Sequence, residues 1–411
     1  MPKLLQINTS LNCNSTGKIA EQIGLLAITK GWDCYIGHGH RYKKPSKLKT
    51  YEVGNLVEEK LHMFNSLLFD KHGLGSKKAT ERFITWIKEL SPDIIHLHNI
   101  HGYFLNYLVL FDYLGKIDIP IVWTLHDCWS MTGHCSFFEG VGCEKWKIGC
   151  GQCPYLKDYP MSLWLDRSAV NYKRKNQAFT LPTDMTIVPV SQWLGDLVSN
   201  SFLCKYPVKV IHNGIDVNIF QPKEIDLRER YGIARKKTVV LGVASVWHER
   251  KGLNDFVKLA KEEKYQVILV GVSENIKKKI PDNIIAIPRT NSQRDLAELY
   301  SGADVFVNPT YDDNFPTTNI EALACGTPVI TYRTGGSPEA IDEDTGWVVE
   351  KGDIEGLCQI IDNYFTLPEE EKNVKRIRSR ERAIKLYNKD DRFQDYINLY
   401  SELLHEKGST R

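Results

Sequence analysis

Two carboxylates are separated by seven intervening residues in the segment DNFPTTNIE, at Asp313 and Glu321. An apolar run ending at Pro309 precedes them, and the segment reads as a short helix that stops at Gly326. A helix N-terminus presents unpaired N–H groups to a phosphate, and a carboxylate one turn further on can accept hydrogen bonds from a sugar hydroxyl. The pattern indicates a site for a nucleotide that carries a sugar. The alternative is an ordinary buried helix with solvated acids.

The elements that must position these residues occur twice along the chain. Each set reads as strand, helix and strand, at residues 3–8, 18–30 and 33–37, and again at residues 238–244, 253–263 and 265–270. Two such strand–helix–strand units predict an α/β protein with two doubly wound parallel sheets. The two domains should be joined within residues 221–236. Neither first strand is followed by G-x-G-x-x-G, which disfavours a nicotinamide cofactor.

Polar residues end four predicted strands of the first half. They are His98, His126, Ser191 and Asn213, the last after a predicted strand that starts at Val208. Ligands of open α/β sheets bind outside the carboxyl ends of strands. Four such ends predict a ligand cleft, which would be deep if the second half presents its own strand ends to it.

Composition excludes several classes of protein. The 411 residues suggest two domains, and 53 basic against 51 acidic residues give no reason to expect nucleic acid as a partner. We find no signal peptide pattern and no apolar run near the length of a membrane span. The expected location is the cytoplasm, with peripheral contact at the inner face of the membrane as an alternative.

The chain resembles the family 4 retaining glycosyltransferases of the GT-B fold. The motifs are His126-Asp127, the run from Val210 to Asp216, Lys251-Gly252, and acid-x7-Glu before ALACGTP. The continuation HDCWSMTG is most similar to the bacterial exopolysaccharide branch, including colanic-acid-type enzymes. The resemblance implies two Rossmann-like domains facing across a cleft, and transfer of a sugar from a nucleoside diphosphate to an acceptor hydroxyl with its anomeric configuration kept.

The resemblance also implies roles for single residues. Glu321 matches the acid that binds the donor ribose, and Asp313 stands where the family usually has a glutamate near the reacting centre. Lys251 matches the lysine that meets the diphosphate. His126 matches the histidine that touches the donor sugar, and Gly17 the loop that lets backbone approach the diphosphate.

The charge that develops on the departing diphosphate must be neutralised. The partner arginine usual in the family is absent, so Arg250 either supplies a second charge or is simply solvated. Lys251, Arg250 and backbone amides could stabilise the charge without a metal, so we expect no catalytic cofactor. The amides are those of Phe315, Thr317, Thr318 and Asn319. The only D-x-D, at Asp342, reads as a surface loop rather than a metal site.

Four cysteines fall within nineteen residues, at Cys135, Cys143, Cys150 and Cys153. In an intracellular chain, C-x7-C-x6-C-x2-C fits a structural zinc better than disulfides. Alternatives are reduced cysteines in a packed loop, an iron–sulfur cluster or a redox switch.

Three further segments bear on the acceptor and on the domain arrangement. The basic run of residues 38–49 reads as a solvated loop or as a contact with a phosphorylated, lipid-linked acceptor at the membrane. Residues 61–69 and 83–90 are amphipathic, and either line an acceptor groove or pack into the core. Residues 392–404 read as a helix that, in the family, crosses back onto the N-terminal domain.

These inferences combine into one predicted organisation. Residues 1–222 form the acceptor-side domain with a cysteine-rich insertion at 128–160, residues 223–388 bind the nucleotide sugar, and residues 389–411 return to the first domain. The predicted function is a retaining hexosyltransferase acting on a glycan or lipid-linked oligosaccharide in bacterial exopolysaccharide biosynthesis. Alternatives are a nucleotide-sugar epimerase or a phosphorylase of the same fold, or a zinc-scaffolded sugar-nucleotide-binding protein without activity.

Overall fold

The computed structural model describes residues 1–409, and the chain divides into two compact units. Unit 1 comprises Met1–Ile211 together with the chain from Phe393 onward, and unit 2 comprises His212–Arg392. Each unit is built on one six-stranded sheet whose paired strands are all parallel. This architecture confirms the predicted fold class of two doubly wound, Rossmann-like domains.

Unit 1 has the strand order β3-β2-β1-β4-β5-β6. Its strands are β1 (Lys3–Leu11), β2 (Asp33–Lys43), β3 (Lys49–Glu52), β4 (Ile94–Leu97), β5 (Ile121–Leu125) and β6 (Met185–Pro189). Its helices are α1 (Asn14–Thr29), α2 (Leu56–Phe69), α3 (Lys77–Leu90), α4 (Tyr107–Leu114), α5 (Ser168–Phe179) and α6 (Gln192–Ser199). Every residue of β4, β5 and β6 is buried, as expected for parallel strands covered on both faces.

Unit 2 has the order β12-β11-β10-β7-β8-β9. Its strands are β7 (Thr238–Val243), β8 (Tyr265–Val270), β9 (Ile285–Ile287), β10 (Val305–Asn308), β11 (Val329–Tyr332) and β12 (Gly346–Val349). The helices of unit 2 are α7 (Leu227–Tyr231), α8 (Leu253–Leu259), α9 (Glu274–Lys277), α10 (Gln293–Gly302), α11 (Thr317–Ala324), α12 (Ile354–Thr366) and α13 (Glu369–Tyr387), and α14 (Lys389–Ser409) is shared with unit 1. Short 3-10 turns lie at Trp129–Met131, Glu139–Val141, Lys145–Lys147, Glu249–Lys251 and Ser337–Ala340.

Helix α14 starts in unit 2, and from Phe393 it belongs to unit 1. The hydroxyl of Tyr400 lies 2.6 Å from Nδ1 of His96, and the other nitrogen of that ring lies 2.8 Å from Oγ1 of Thr124. Thr124 in turn donates to the hydroxyl of Tyr396 at 3.2 Å. The buried polar atoms of β4 and β5 therefore find their partners on α14.

The structure differs from the sequence predictions in three places. Strand β2 runs through Lys43, so the basic run predicted as a loop is largely strand. The predicted strand at Val208 is only an isolated bridge to Ile187. The division between units falls after Ile211 rather than at residue 222, because the amide of Ile215 donates to the Tyr387 carbonyl, at 2.8 Å, within unit 2.

Candidate functional site

The strand order of unit 2 reverses between β7 and β10, which is where open α/β sheets bind their ligands. The turn after β7 carries Arg250 and Lys251, and the loop after β10 carries Asp313. The ammonium of Lys251 forms an ion pair with the carboxylate of Asp313. Two residues predicted from separate motifs are thus brought into contact at the switch point.

Hydrogen bonds to backbone carbonyls hold these two loops together. The guanidinium of Arg250 donates to the Asp312 carbonyl at 2.8 Å, and the amide of Tyr311 donates back to the Arg250 carbonyl, also at 2.8 Å. A Cβ at Gly252 would lie 2.2 Å from the Pro309 carbonyl oxygen, so only glycine permits this approach. Arg250 is therefore a brace for the loop that carries Asp313, and the alternative of a merely solvated side chain is wrong.

Helix α11 begins at Thr317 after Pro316, and it has no side-chain cap. The amides of Thr317 and Thr318 therefore lie in the first turn, where a helix can bind an anion. The predicted neighbours Phe315 and Asn319 have structural contacts. The Phe315 ring packs 4.8 Å from the His212 ring, and the buried Asn319 amide accepts a hydrogen bond from Asn308 at 2.8 Å. The backbone amide of Asn319 also donates to the Pro316 carbonyl, at 3.2 Å. Binding of the nucleotide sugar by Phe315 and Asn319 stays a prediction.

One turn further along α11, Glu321 is oriented by a tyrosine that the sequence analysis missed. The hydroxyl of Tyr300 donates to Oε2 of Glu321 at 3.1 Å. Burial, and then the nearby carboxylate, raise the pKa of Tyr300 well above its ordinary value, so the phenol keeps its proton and remains a donor. Tyr300 occupies an apolar position of α10, so its pattern in the sequence indicated only a core residue.

In unit 1 the sheet order reverses between β1 and β4. Close to that point, Nδ1 of His98 lies 3.3 Å from Nε2 of His126, and Nε2 of His98 lies 3.0 Å from Oε1 of Gln6. The amide nitrogen of Gln6 donates to the Ala20 carbonyl, so its oxygen must accept from His98. His98 then accepts at Nδ1, and His126 donates from Nε2 and carries its lone pair on Nδ1.

The charge state of His126 follows from its surroundings. Burial lowers its pKa to about 4, although the neighbouring Asp127 opposes this effect. Burial also lowers the pKa of His98 well below its ordinary value, and the rings of His96 and His126 act in the same direction. His126 is therefore a neutral imidazole near pH 7, suited to hydrogen bonding and poor as a base.

Asp127 belongs to a second chain of contacts, whose other members the sequence analysis missed. Oδ2 of Asp127 lies 2.9 Å from Nε2 of His101, and Nδ1 of His101 lies 3.0 Å from the Tyr159 hydroxyl. Burial alone would raise the pKa of Asp127, but His101, the Trp129 amide and His126 together lower it. The carboxylate is thus ionised beside His126. In the sequence, the signal for this second chain of contacts was His101, a further histidine three residues after His98.

Gly17 lies in the first turn of α1, where a Cβ would come within 2.8 Å of Oγ and 3.0 Å of the carbonyl oxygen of Ser10. Close packing of α1 on the end of β1 therefore already requires glycine here. Approach of the backbone to a diphosphate at Gly17 stays a prediction.

The four clustered cysteines line one small cavity beside Phe138 and Trp146. The amide of Gly133 donates to Sγ of Cys150 at 3.2 Å. Thiolates suit zinc, yet within residues 1–409 no three histidine, cysteine or acidic side chains are arranged to hold a metal ion. The geometry thus does not support a ligand set, and zinc stays a prediction from the cysteine spacing.

Metal analysis of the purified protein tests that prediction. If the spacing reflects a zinc site, the protein should carry ~1 zinc per chain, and Cys150→Ser should lower the zinc content and the melting temperature together. Cys204→Ser, at an exposed cysteine outside the cluster, is the matched control and should change neither. A zinc content near zero in well-folded protein would leave packed, reduced cysteines as the explanation.

Both halves of the chain match models of protein families. Residues 50–219 match the model described as "Glycosyltransferase Family 4", and residues 223–381 match "Glycosyl transferases group 1". A protein of Escherichia coli strain K12, named as a colanic acid biosynthesis glycosyl transferase, WcaC, is 26% identical over 422 aligned residues. That alignment covers 97% of this chain and 100% of the relative.

Solved structures resemble the fold along nearly the whole chain. Sucrose-phosphate synthase from Thermosynechococcus elongatus superposes with a TM-score of 0.75 at 18% identity, covering 99% of this chain and 100% of the other. Anabaena Alr3699/HepE, solved in complex with UDP, superposes with a TM-score of 0.65 at 15% identity, covering 98% and 100%. At these identities the likeness concerns the fold.

Proposed function

Because the chain belongs to the family 4-type glycosyltransferases of the GT-B fold, we propose that it transfers a hexose from a nucleoside-diphosphate sugar and retains the anomeric configuration. The proposed acceptor is a glycan or lipid-linked oligosaccharide of bacterial exopolysaccharide biosynthesis, which agrees with the printed name of the E. coli relative. The proposed place of reaction is the cytoplasmic face of the membrane. No helix among residues 1–409 is both long and apolar enough to span a bilayer.

The observation that carries the proposal is the arrangement at the switch point of unit 2. A cation, a carboxylate and an uncapped helix start lie on two loops that are braced against each other. A diphosphate bound there would interact with Lys251 and with the first amides of α11. Charge developing on the leaving phosphate would then be stabilised by groups that need not move.

The charge states of the side chains favour displacement on one face of the sugar. His126 is neutral and a poor base, and retention without a nucleophile requires the leaving phosphate to take the acceptor proton. We therefore propose that His126 forms a hydrogen bond with the transferred sugar. Asp313, which is paired with Lys251, is placed near the reacting centre and has no role as a covalent nucleophile in this scheme.

The direct test is transfer from a panel of nucleoside-diphosphate sugars, followed by NMR during the first turnovers. We expect product with the configuration of the donor, and the same rate when EDTA is present briefly. Inverted product would contradict the mechanism. Hydrolysis or epimerisation of the nucleotide sugar with no requirement for an acceptor would contradict the transferase assignment.

His126→Ala separates sugar contact from nucleotide binding. We expect kcat to fall by about a hundredfold or more, as when one transition-state donor is removed, while the affinity for nucleoside diphosphate stays close to wild type. Isothermal titration calorimetry and initial rates measure the two quantities. His405→Ala, at an exposed histidine, is the control. A large loss of nucleotide affinity in His126→Ala would refute the role given to this residue.

A further inference from the structure

Helix α2 is inverted relative to an ordinary surface helix. Its buried residues are polar, namely Glu59, His62 and Ser66. Its exposed residues include six large apolar side chains, at Leu56, Val57, Leu61, Met63, Phe64 and Phe69. Surface helices normally place their apolar stripe toward the core. These six apolar side chains of α2 are therefore not explained by the packing of unit 1.

The polar face of α2 is held inside by specific hydrogen bonds. Nδ1 of His62 lies 3.0 Å from Oγ of Ser76, and its Nε2 accepts from the Gly75 amide at 3.1 Å. The carboxylate of Glu59 accepts from the His40 amide at 2.5 Å. Rotating the helix would break all of these contacts, so the fold fixes the apolar side toward solvent.

A neighbouring segment adds to this exposed apolar side. The Leu163 amide donates to the Leu67 carbonyl at 2.8 Å, which joins residues 159–165 to the end of α2. Five exposed apolar side chains lie on this segment, at Tyr159, Met161, Leu163, Trp164 and Leu165. Together with the six residues of α2 they make eleven of the 25 exposed large hydrophobic residues among residues 1–409. We call these eleven residues the apolar face.

Exposed apolar residues are normally scattered, and a concentration of this kind marks an interaction surface. Trp164 is 71% exposed, and tryptophan and tyrosine are enriched where a protein meets the interface of a bilayer. Aromatic and long aliphatic side chains of this kind are those that helices lying in the membrane interface bury among the lipid headgroups.

Positive charge lies beside the apolar face. The ammonium of Lys71 sits 5.5 Å from the centre of the Phe69 ring, and a guanidinium nitrogen of Arg41 lies 3.5 Å from the sulfur of Met63. Lys60 is exposed on α2 itself. Of the two acids on this helix, Glu59 is buried and Glu58 is paired with Arg82 at 3.0 Å. The exposed charge at α2 itself is therefore positive, whereas the second segment is flanked by the exposed acids Asp158 and Asp166.

We propose that the apolar face, with Arg41, Lys60 and Lys71 beside it, docks unit 1 on a bilayer containing anionic lipids. Apolar side chains would enter the headgroup region while the cations contact anionic headgroups. A second copy of the chain fits less well, because a symmetric interface would place the same cations near one another. The docking surface does not rest on the proposed transfer reaction, and it is tested without an activity assay.

Vesicle co-sedimentation of the full chain tests this. We expect binding to phosphatidylcholine vesicles that contain about a third phosphatidylglycerol, and weaker binding to pure phosphatidylcholine or in high salt. Phe64→Ser combined with Trp164→Ser should weaken binding by about tenfold or more, because burial of a single aromatic side chain can change a binding constant by that factor. Lys60→Glu combined with Lys71→Glu should remove the preference for anionic vesicles.

The matched control lies on α13, where Val374 is 50% and Ile377 is 58% exposed. Val374→Ser combined with Ile377→Ser should bind vesicles as wild type does. Melting curves verify that all variants fold. Failure of the wild type to bind anionic vesicles would overturn the proposal. So would a concentration-dependent dimer that disappears in Phe64→Ser with Trp164→Ser, since the face would then be an interface between two copies.

Discussion

Glu321→Ala is expected to abolish sugar transfer and to weaken nucleoside diphosphate binding. A carboxylate that accepts hydrogen bonds from a ribose in a closed site contributes about 1–3 kcal/mol, and its loss leaves the sugar hydroxyls unpaired. Because Tyr300 already fixes the orientation of this carboxylate, little ordering entropy is lost on binding. Calorimetric titration with nucleoside diphosphates measures the loss of affinity.

Two controls separate binding from structural support. Tyr300→Phe keeps the ring and removes the hydroxyl, so it should lower nucleotide affinity less than Glu321→Ala does. Glu262→Ala changes an exposed acid elsewhere in unit 2 and should have no effect. If Glu321→Ala binds nucleoside diphosphate as wild type does while remaining folded, the ribose contact is not made by this residue.

Mild acid is expected to destabilise the protein strongly. Burial lowers the pKa of six histidines below the ordinary value of 6.5; they are His38, His62, His72, His96, His98 and His126. These imidazoles are neutral in the folded chain and become protonated in the unfolded chain. The stability they confer is complete above pH 6.5 and is lost as the pH falls below it toward each folded-state pKa, which is about 4 for His62 and His126, at roughly 1 kcal/mol per pH unit for each histidine.

Urea denaturation between about pH 7.5 and pH 5 measures this dependence. The free energy of unfolding should fall steeply, and His62→Gln should reduce the slope by about one proton. His405→Gln, at an exposed position, should leave the slope unchanged. A free energy of unfolding that is independent of pH over this range would show that the buried imidazoles gain protons without unfolding.

The sequence was sufficient for the fold because its strands are short apolar runs that end in polar residues. In a parallel sheet those ends must meet at one edge, so the carboxyl-end residues could be predicted as a group. The pairing of Lys251 with Asp313 follows the same logic, since β7 and β10 are neighbours in the sheet. The boundary between the two units was predicted less closely. It precedes Asn213 and Ile215 because both residues make their hydrogen bonds within unit 2.

The supporting residues could not be predicted because their signals coincide with those of ordinary core positions. Tyr300 and Tyr159 are recognised only through hydroxyl contacts with residues far away in the chain. Helices α2 and α3 look alike as amphipathic patterns, yet Phe83 and Ile87 are buried while Leu61 and Phe64 are exposed. Periodicity identifies an apolar stripe, and the polar partners of the other stripe decide which side faces inward.

Helix α14 affects the order in which the two units can fold during translation. The first 211 residues leave the ribosome long before Phe393 and Tyr400, which belong to the same hydrophobic core. Until they arrive, Trp32 lacks the ring that packs 5.6 Å from it, and the pair formed by His96 and Thr124 lacks two hydroxyl partners. Unit 2 therefore has all of its residues first. Unit 1 is translated first, but its core cannot be completed until α14 has been translated after unit 2.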